Sequence, residues 1–315
     1  MDLRQLRYYT RIVELESITA ASQALHVAQP SLSQHVAKLE DELGTPLLVR
    51  GPTGARATEA GEILYRQAKA ILRQLEDAKS AVQQGFDTPA GHVTVGLPTS
   101  TSRILAVPLL QAVSRDYPEI QLELVEGATA ELAEAVAQQK TDIAVAMEVR
   151  PRPGMRVTPI LDEDVMLVCG PAHPGRGPVS LAEVAALPLM LPSFPNSIRV
   201  LYEQALGRAN LPLKLAAETS AASILLAAVR AGIGCTLLPW SAIAESHEGA
   251  APALAVRPFS DLAFTRRMSL CVSQVAQLSR TCQVVQALLC ELIRQLVHSG
   301  RWQGVRLLPQ AAPAG

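Results

Sequence analysis

The stretch from residue 17 to residue 50 constrains this chain more than any other part of its sequence. Its pattern predicts two short helices, an Ala-rich one from Ile18 to Leu25 and a second from about Pro30 to Leu43. Proline suits the first turn of a helix, because its missing N–H would have no partner there. Gly44 can end the second helix in a left-handed cap, and Pro46 prevents the helix from continuing. We therefore expect a helix-turn-helix followed by a strand-like exit.

The second helix is predicted to be amphipathic. Its apolar residues recur at helical spacing and should face inward. They are Leu32, Val36, Leu39 and Leu43. The opposite face is small, polar and cationic, and carries Ser33, Gln34, Ala37 and Lys38. A recognition helix presents such a face to base edges in the major groove, although a short motif also fits an ordinary helical hairpin with a solvated outer face.

The first 61 residues carry several short motifs in a fixed order. They are Ser17-x-Thr19 with Ala20 and Ala21, Leu25 with Gln29-Pro30-Ser31-x-Ser33, Leu39-Glu40-x-x-Leu43-Gly44-x-x-Leu47-Leu48-x-Arg50, and Thr58-x-Ala60-Gly61. This run resembles the LysR-type transcriptional regulators, and within them the nitrogen-assimilation-control branch. The resemblance implies an N-terminal all-α winged helix-turn-helix with a long linker helix. It also implies a C-terminal α/β, two-lobed domain like the periplasmic binding proteins.

The resemblance also implies partners and DNA-contacting residues. The expected contacts to double-stranded promoter DNA are Gln29, Pro30, Ser31, Ser33, Gln34, Lys38, Arg50 and Arg56. Gln34 stands where relatives often carry arginine, and Thr53 replaces a second basic residue of the wing, for which Arg56 can compensate. Residues 1–56 hold six basic and six acidic side chains, so the salt-sensitive, non-specific share of DNA binding should be small. RNA polymerase is a further candidate partner.

A long Pro-free helix is predicted from Thr58 to about Gln84. Its apolar residues follow a heptad spacing typical of a helix packed along another helix. They are Leu64, Ala68, Ile71, Leu75, Ala78 and Val82. We expect this face to form a homodimer, and the resemblance adds tetramers. The alternative is a helix that lies on its own domain. Residues 85–91, with Pro89 and two glycines, read as a hinge.

Strand and helix patterns alternate from His92 onward, which predicts a parallel α/β sheet. The pattern alone extends no further than a doubly wound α/β fold. The resemblance to the LysR-type regulators adds two lobes linked by two crossing strands, near Val165–Cys169 and Met268–Val272. The expected organisation is a DNA-binding domain (1–57), a linker helix and hinge (58–88), an effector domain (89–298) and a flexible tail (299–315). Within the effector domain, lobe 1 should comprise about 92–163 and 269–298, and lobe 2 about 164–268.

Hydroxyl-rich helix starts follow several strands, where ligands bind in such sheets. The candidate effector-binding residues are Thr99, Ser100, Thr101, Ser102, Thr129, Met147, Ser193, Asn196, Ser197 and Arg199. Simple N-capping explains any single hydroxyl equally well. The candidate ligand is a small polar molecule, with an anion as one option. Relatives often have a basic residue at the position of Phe194, which weakens a carboxylate ligand here, although Arg199 can substitute.

The sequence offers little support for other functions. The six histidines are isolated, and no hydrolase, metalloprotease, dinucleotide or P-loop motif is present, so we expect neither an enzyme nor a metal or other cofactor. A periplasmic solute-binding protein would leave residues 1–88 unexplained. A regulator without an effector, controlled by its own abundance, is the main alternative.

Cysteine usage and hydropathy predict a cytoplasmic protein. The five cysteines are scattered and form no C-x-x-C, so we expect buried thiols, with a redox-sensing pair as the minor alternative to that reading. No apolar run approaches the ~20 residues needed to span a bilayer, and no export signal opens the chain.

Overall fold

The computed structural model describes residues 1–51, 54–84, 89–171, 173, 175, 177–244, 254–274 and 278–309. These residues form two compact units, an N-terminal unit that extends to Gly91 and a C-terminal unit that begins at His92. No helix in the described ranges is long and apolar enough to cross a membrane.

The N-terminal unit is a winged helix-turn-helix with a long helix behind it. Its elements are α1 (Leu3–Leu15), α2 (Ile18–Ala24), α3 (Gln29–Leu43), β1 (Leu48–Gly51), β2 (Gly54–Ala57) and α4 (Glu59–Gln84). The strands β1 and β2 pair antiparallel and form the wing. The predicted helix-turn-helix, wing and linker helix are confirmed.

Local capping explains where these helices begin and end. Asp2 and Gln5 form a reciprocal capping box at the start of α1. Ser17 Oγ accepts the N–H of Ala20 at 3.1 Å and caps α2. Helix α3 ends at Gly44, whose φ of 65° is the left-handed conformation that glycine adopts without strain.

The core of this unit contains the predicted inner face of α3. Leu32, Val36 and Leu39 are fully buried, together with Tyr9 of α1 and Tyr65 of α4. Leu43 is 43% exposed, so the prediction that it faces inward is wrong. It occupies the last turn of the helix, where the chain leaves the core toward Gly44.

The C-terminal unit consists of two α/β lobes. Lobe 1 contains β3 (Gly91–Pro98), α5 (Thr99–Asp116), β4 (Ile120–Gly127), α6 (Thr129–Ala137), β5 (Ile143–Met147) and α11 (Arg280–His298). Lobe 2 contains α7 (Leu181–Ala186), β7 (Leu189–Pro192), α8 (Ser197–Ala209), β8 (Leu215–Thr219), α9 (Ala222–Arg230), β9 (Cys235–Pro239), α10 (Trp240–Ile243) and β10 (Ala255–Arg257). The strands β6 (Met155–Cys169) and β11 (Thr265–Ser273) run between the lobes.

One continuous strand path joins the lobes in the order β4-β3-β5-β11-β6-β9-β7-β8. The first part of β6 pairs with β11 up to Asp164, and the second part pairs with β9 from Val165 onward. The strand β6 is therefore shared, and the lobes meet near residue 164. Only the apolar run from Val165 was predicted as a strand. The first half of β6 alternates between buried and exposed residues, so it has no continuous apolar run in the sequence.

The prediction of a flexible tail from Ser299 is wrong for residues 299–309. A strand β12 (Val305–Leu307) pairs antiparallel with β6 opposite Leu161, Asp162 and Glu163. Trp302 is only 1% exposed, so its large indole adds to the core of the unit. The remaining positions, 310–315, lie outside the described residues.

The cysteine prediction is wrong for one pair. Cys169 and Cys235 form a disulfide across a sequence separation of 66 residues. The antiparallel register of β6 and β9 pairs Val168 with Thr236, which brings the two neighbouring cysteines opposite each other. Cys271 and Cys282 are buried free thiols, as expected.

Candidate DNA-reading surface and effector cleft

The outer face of α3 is open to solvent. Gln29, Pro30, Gln34 and Lys38 are exposed, and Ser31 and Ser33 are half-buried. Ala28, the residue before the helix, provides no side-chain cap, and a proline lies in the first turn. Backbone N–H groups of a first turn have no carbonyl partner within their own helix, so they can bind a phosphate. This face thus combines exposed polar side chains with an open helix start.

The two wing arginines are held by acidic side chains. Arg50 Nη2 donates to Glu40 Oε2 at 3.3 Å, and Arg56 Nε lies 3.6 Å from Glu16 Oε2. The other oxygen of Glu40 accepts the N–H groups of Leu47 and Leu48 at 2.8 and 3.1 Å. Glu40 thus fixes the start of the wing and orients Arg50. Within the described ranges, Lys38 forms no ion pair.

A groove of about 400 Å³ separates the start of α2 from the wing. Ser17, Thr19 and Arg50 contribute its polar side chains. The sequence pattern did not single out Ser17 or Thr19 as contacts, although a serine just before a helix marks a position where backbone N–H groups face outward. The groove is thus a polar recess between α2 and the wing.

The exposed face of α4 differs from the predicted seam. Ala68 is fully buried in its own unit, as is Tyr65 beside it, so Ala68 does not belong to an open face. Ile63 and Ile71 are 52% and 38% exposed, and Ala78 is also exposed. Leu64 and Leu75 are half-buried, and the side chain of Val82 lies outside the described residues.

A cleft of about 480 Å³ lies between the two lobes of the C-terminal unit. Seven of the predicted effector residues line it: Thr99, Ser100, Thr129, Met147, Ser193, Asn196 and Ser197. They come together because β3, β5 and β7 end at this edge and α5, α6 and α8 begin there. Apolar side chains complete the wall, including Leu225, Leu238 and the 67%-exposed Phe194.

Three predicted effector residues are not part of the cleft wall. Thr101 is fully buried and donates to the carbonyl of Pro98 at 3.0 Å. Ser102 donates to Glu126 at 2.6 Å. Arg199 bonds to the carboxylates of Glu203 and Glu218, so it is engaged within lobe 2. All three side chains donate hydrogen bonds to other groups of the protein, so their roles here are structural.

A buried ion pair forms the floor of the cleft, and the sequence pattern gave no indication of it. Arg266 donates from Nε and Nη2 to Glu163 Oε2 at 3.0 and 2.8 Å, and from Nη2 to Ser100 Oγ at 2.8 Å. Glu163 Oε1 accepts the indole N–H of Trp302 at 2.9 Å and the N–H of Ser241 at 3.2 Å. Glu163 is fully buried and Arg266 is 4% exposed. Each charge therefore has its counter-charge and hydrogen-bond partners.

The remaining charges at the cleft are acidic. Glu126 accepts the hydroxyl of Ser102 in the first turn of α5, and Glu131 Oε2 accepts the N–H of Ala128 at the start of α6, at 3.2 Å. Carboxylates in these places offset the positive ends of both helices. The third helix start, that of α8, is capped by Asn196, whose side chain accepts the N–H of Ile198.

Comparison with protein families accounts for both units of the chain. Residues 3–62 match the bacterial regulatory helix-turn-helix protein family of lysR type, and residues 86–294 match the LysR substrate binding domain. This chain is a LysR-type transcriptional regulator. Its N-terminal unit is the DNA-binding helix-turn-helix domain, and its C-terminal unit is the effector-binding domain of that family.

Two similar regulators extend over nearly the whole chain. The nitrogen assimilation regulatory protein nac of Klebsiella aerogenes is 38% identical over 294 residues, covering 93% of this regulator and 95% of that protein. The protein of the same name from Escherichia coli is 37% identical over 305 residues, covering 96% and 99%. The expected likeness to the nitrogen-assimilation-control branch is confirmed.

Solved structures show the same architecture. A full-length OxyR variant from Pseudomonas aeruginosa has a TM-score of 0.76 at 25% identity, covering 93% of this regulator and 95% of that chain. CbnR, solved full-length with its target DNA, has a TM-score of 0.61 at 22% identity and shares the fold. The two-lobed, winged helix-turn-helix architecture predicted from the sequence is confirmed.

Proposed function

We propose that this LysR-type regulator is a cytoplasmic protein that binds promoter DNA as a homodimer or tetramer. A small non-acidic molecule bound in the interlobe cleft controls its activity. Two features of the described residues support the proposal. The outer face of α3 is exposed, and Arg266, the one cation that lines the cleft, is neutralised by Glu163. RNA polymerase is a further partner for which we propose no contact residues.

In this proposal Gln34 recognises a DNA base and Arg50 binds a DNA phosphate. The side chain of Gln34 is exposed in the middle of the outer face of α3, and glutamine can pair with adenine through two hydrogen bonds. Arg50 lies on the wing and must exchange its 3.3 Å contact with Glu40 for a phosphate. Because that ion pair is exposed, breaking it costs little.

The DNA assignment is tested with duplexes selected by the full-length wild-type protein. We expect Gln34→Ala to weaken binding by about 1–3 kcal/mol at one base position only. Arg50→Ala should weaken binding to every sequence alike and reduce the salt dependence. Equal binding of wild type and Gln34→Ala to all operator variants would contradict base reading by Gln34.

The class of effector follows from the charges of the cleft. An anionic ligand would find no unpaired cation in the described wall, since Arg266 already bonds to Glu163. It would also meet Glu126 and Glu131, which occupy the helix starts that attract anions. A neutral or amine-bearing molecule with an apolar body avoids this repulsion and can pack against Phe194. A neutral or amine-bearing effector therefore replaces, in this proposal, the anionic effector considered from the sequence.

Matched ligands test this class directly. Sets of an amine, an alcohol and a carboxylic acid with the same carbon skeleton are compared by thermal shift of the full-length protein. We expect stabilisation by amines or alcohols, loss of the amine effect in Glu126→Gln, and reduced binding in Phe194→Ala. Stabilisation by the acids alone would contradict the proposal.

The fully satisfied floor of the cleft favours one alternative function. Glu163, Arg266, Trp302 and Ser241 complete their hydrogen bonds without any ligand. The lobes are thus connected by a network that needs no ligand to form, which agrees with a regulator controlled by its own abundance. Identical operator footprints with and without every stabilising ligand would support this alternative.

A further inference from the structure

The antiparallel pairing of β6 with β9 places the two cysteines of the lobe 2 disulfide opposite each other. Cys169 ends β6 and Cys235 begins β9, and their Cα atoms are 4.4 Å apart. This separation falls within the range that a disulfide bridges without moving the backbone. Cys169 is fully buried and Cys235 is 6% exposed. Both cysteines are thus buried, and Cys235 is the less buried of the two.

One histidine lies beside this pair, and an arginine lies close to the segment that follows that histidine. A ring nitrogen of His173 and both sulfur atoms lie within 4.8 Å of one another. The Arg257 guanidinium lies against Gly175, two residues after His173, and donates to the carbonyls of Gly177 and Pro178. A protonated imidazole near a thiol stabilises the thiolate, which is the nucleophilic form of cysteine.

At two other thiols, Cys271 and Cys290, burial outweighs the opposing effect of a nearby arginine, Arg152 or Arg294. Burial raises the pKa of Cys271 to about 11, and burial also raises the pKa of Cys290. Both therefore stay protonated and unreactive near neutral pH. Cys271 provides a matched control for the reactive pair, because it is a buried cysteine on a central strand of the same unit.

The pair is separate from the effector cleft. Along β6, Cys169 is four residues beyond Val165, which pairs with Pro239 at the cleft end of β9. At about 3.3 Å per residue, the cysteines lie roughly 13 Å from that end of the sheet. A reaction at the cysteines therefore neither needs nor blocks a ligand in the cleft.

We propose that Cys169 and Cys235 form a reversible modification site for small disulfides of the glutathione type. The Cys235 thiolate attacks one sulfur of the disulfide, and a mixed disulfide forms as one thiolate leaves and takes up a proton. Cys169 then attacks Sγ of Cys235, the internal disulfide forms, and the second small thiol leaves. Two cysteines are oxidised and one small disulfide is reduced to two thiols, with the protons of the cysteines passing to them.

Oxidation of this site stabilises lobe 2. The cross-link closes a loop that contains α7, β7, α8, β8 and α9. Closing a loop restricts the unfolded chain and so favours the folded state. The reduced and oxidised proteins should therefore differ in melting temperature and in resistance to proteases within lobe 2.

The experiment equilibrates the full-length protein in buffers with different ratios of reduced to oxidised glutathione. Free thiols are then alkylated and counted by mass spectrometry. We expect two thiols to disappear reversibly, a peptide joining Cys169 to Cys235, and a melting temperature higher by roughly 5–15 °C in the oxidised form. Cys235→Ser should abolish all three results, whereas Cys271→Ser should keep them.

Two results would overturn the proposal. One is a thiol count in wild type that does not change with the glutathione ratio, a measurement that needs no variant to fold. The other is a reduced wild type that binds one equivalent of Zn²⁺ through Cys169, His173 and Cys235 and cannot be oxidised while loaded. That outcome would make the cluster a metal site.

Discussion

The indole Nε1 of Trp302 donates a 2.9 Å hydrogen bond to Glu163, a residue 139 positions earlier in the chain. Both side chains are buried, and the same carboxylate holds Arg266 of the second crossing strand. The C-terminal segment therefore completes a charged network at the junction of the lobes. A buried carboxylate that loses a hydrogen-bond partner is destabilised, because the remaining contacts no longer offset its desolvation.

Trp302→Phe should lower the free energy of unfolding of the C-terminal unit by about 1–3 kcal/mol, because it removes one hydrogen bond from a buried charge. Urea unfolding followed by circular dichroism measures this. Trp240→Phe is the matched control, since the indole of Trp240 donates at 2.9 Å to the carbonyl of Arg301 rather than to a charge. An effect of Trp302→Phe no larger than that of the control would contradict the role assigned to Trp302.

The contrast between α3 and the C-terminal segment shows what sequence patterns reveal. The inner face of α3 was predicted because Leu32, Val36 and Leu39 repeat within one helix, and such periodicity is local. Trp302 and Glu163 are distant in sequence, and no repeat connects them. Their contact depends on how β12 pairs with β6.

The candidate sites divide in the same way. Thr99, Thr129 and Ser197 were predicted at the cleft because strand ends and helix starts are visible in the sequence and must share one edge of the sheet. The pair of Arg266 and Glu163 was missed, since the partners come from different strands 103 residues apart. The same reasoning explains why the disulfide escaped prediction.

Lys69→Gln should destabilise the N-terminal unit near neutral pH by up to about 1 kcal/mol. Lys69 Nζ bonds to Glu14 Oε1 at 2.8 Å and joins α4 to α1. Burial alone would raise the pKa of Glu14, but Lys69 and Arg11 outweigh it and hold the pKa below its ordinary value of 4.5. The stabilisation is therefore present above the unfolded-state pKa and is lost as the pH falls through the lower, folded-state pKa.

Thermal unfolding across this pH range measures the Lys69 effect. The melting temperatures of wild type and Lys69→Gln should converge in acid. In a double-mutant cycle, adding Lys69→Gln to Glu14→Gln should cost less than in wild type. A deficit that stays constant down to acid pH would show that the ion pair is not its cause.

Gly54→Ala should displace the wing and weaken DNA binding. Gly54 has a φ of 128°, and an added Cβ would lie 2.2 Å from the carbonyl oxygen of Glu16, the group that accepts the N–H of Ala55. We expect a loss of more than about 1 kcal/mol in stability, because the backbone conformation and the contact are both incompatible with alanine. Gly51→Ala is the control, since an added Cβ at Gly51 meets nothing within 4 Å. Equal melting temperatures and DNA affinities of the two variants would contradict the close approach.

Ile71→Asp should reduce the mass of the assembly, from a dimer to a monomer or from a tetramer to a dimer. Ile63 and Ile71 are large apolar side chains left exposed on the same face of α4, as expected of a helix that packs on a partner helix. A carboxylate in an apolar contact would be desolvated without a counter-charge. Light scattering of the full-length protein measures the mass, and circular dichroism confirms that it remains folded. Val49→Asp, which places the same charge at an exposed apolar position on the wing, should leave the mass unchanged. A folded Ile71→Asp protein with the wild-type mass would move the interface away from α4.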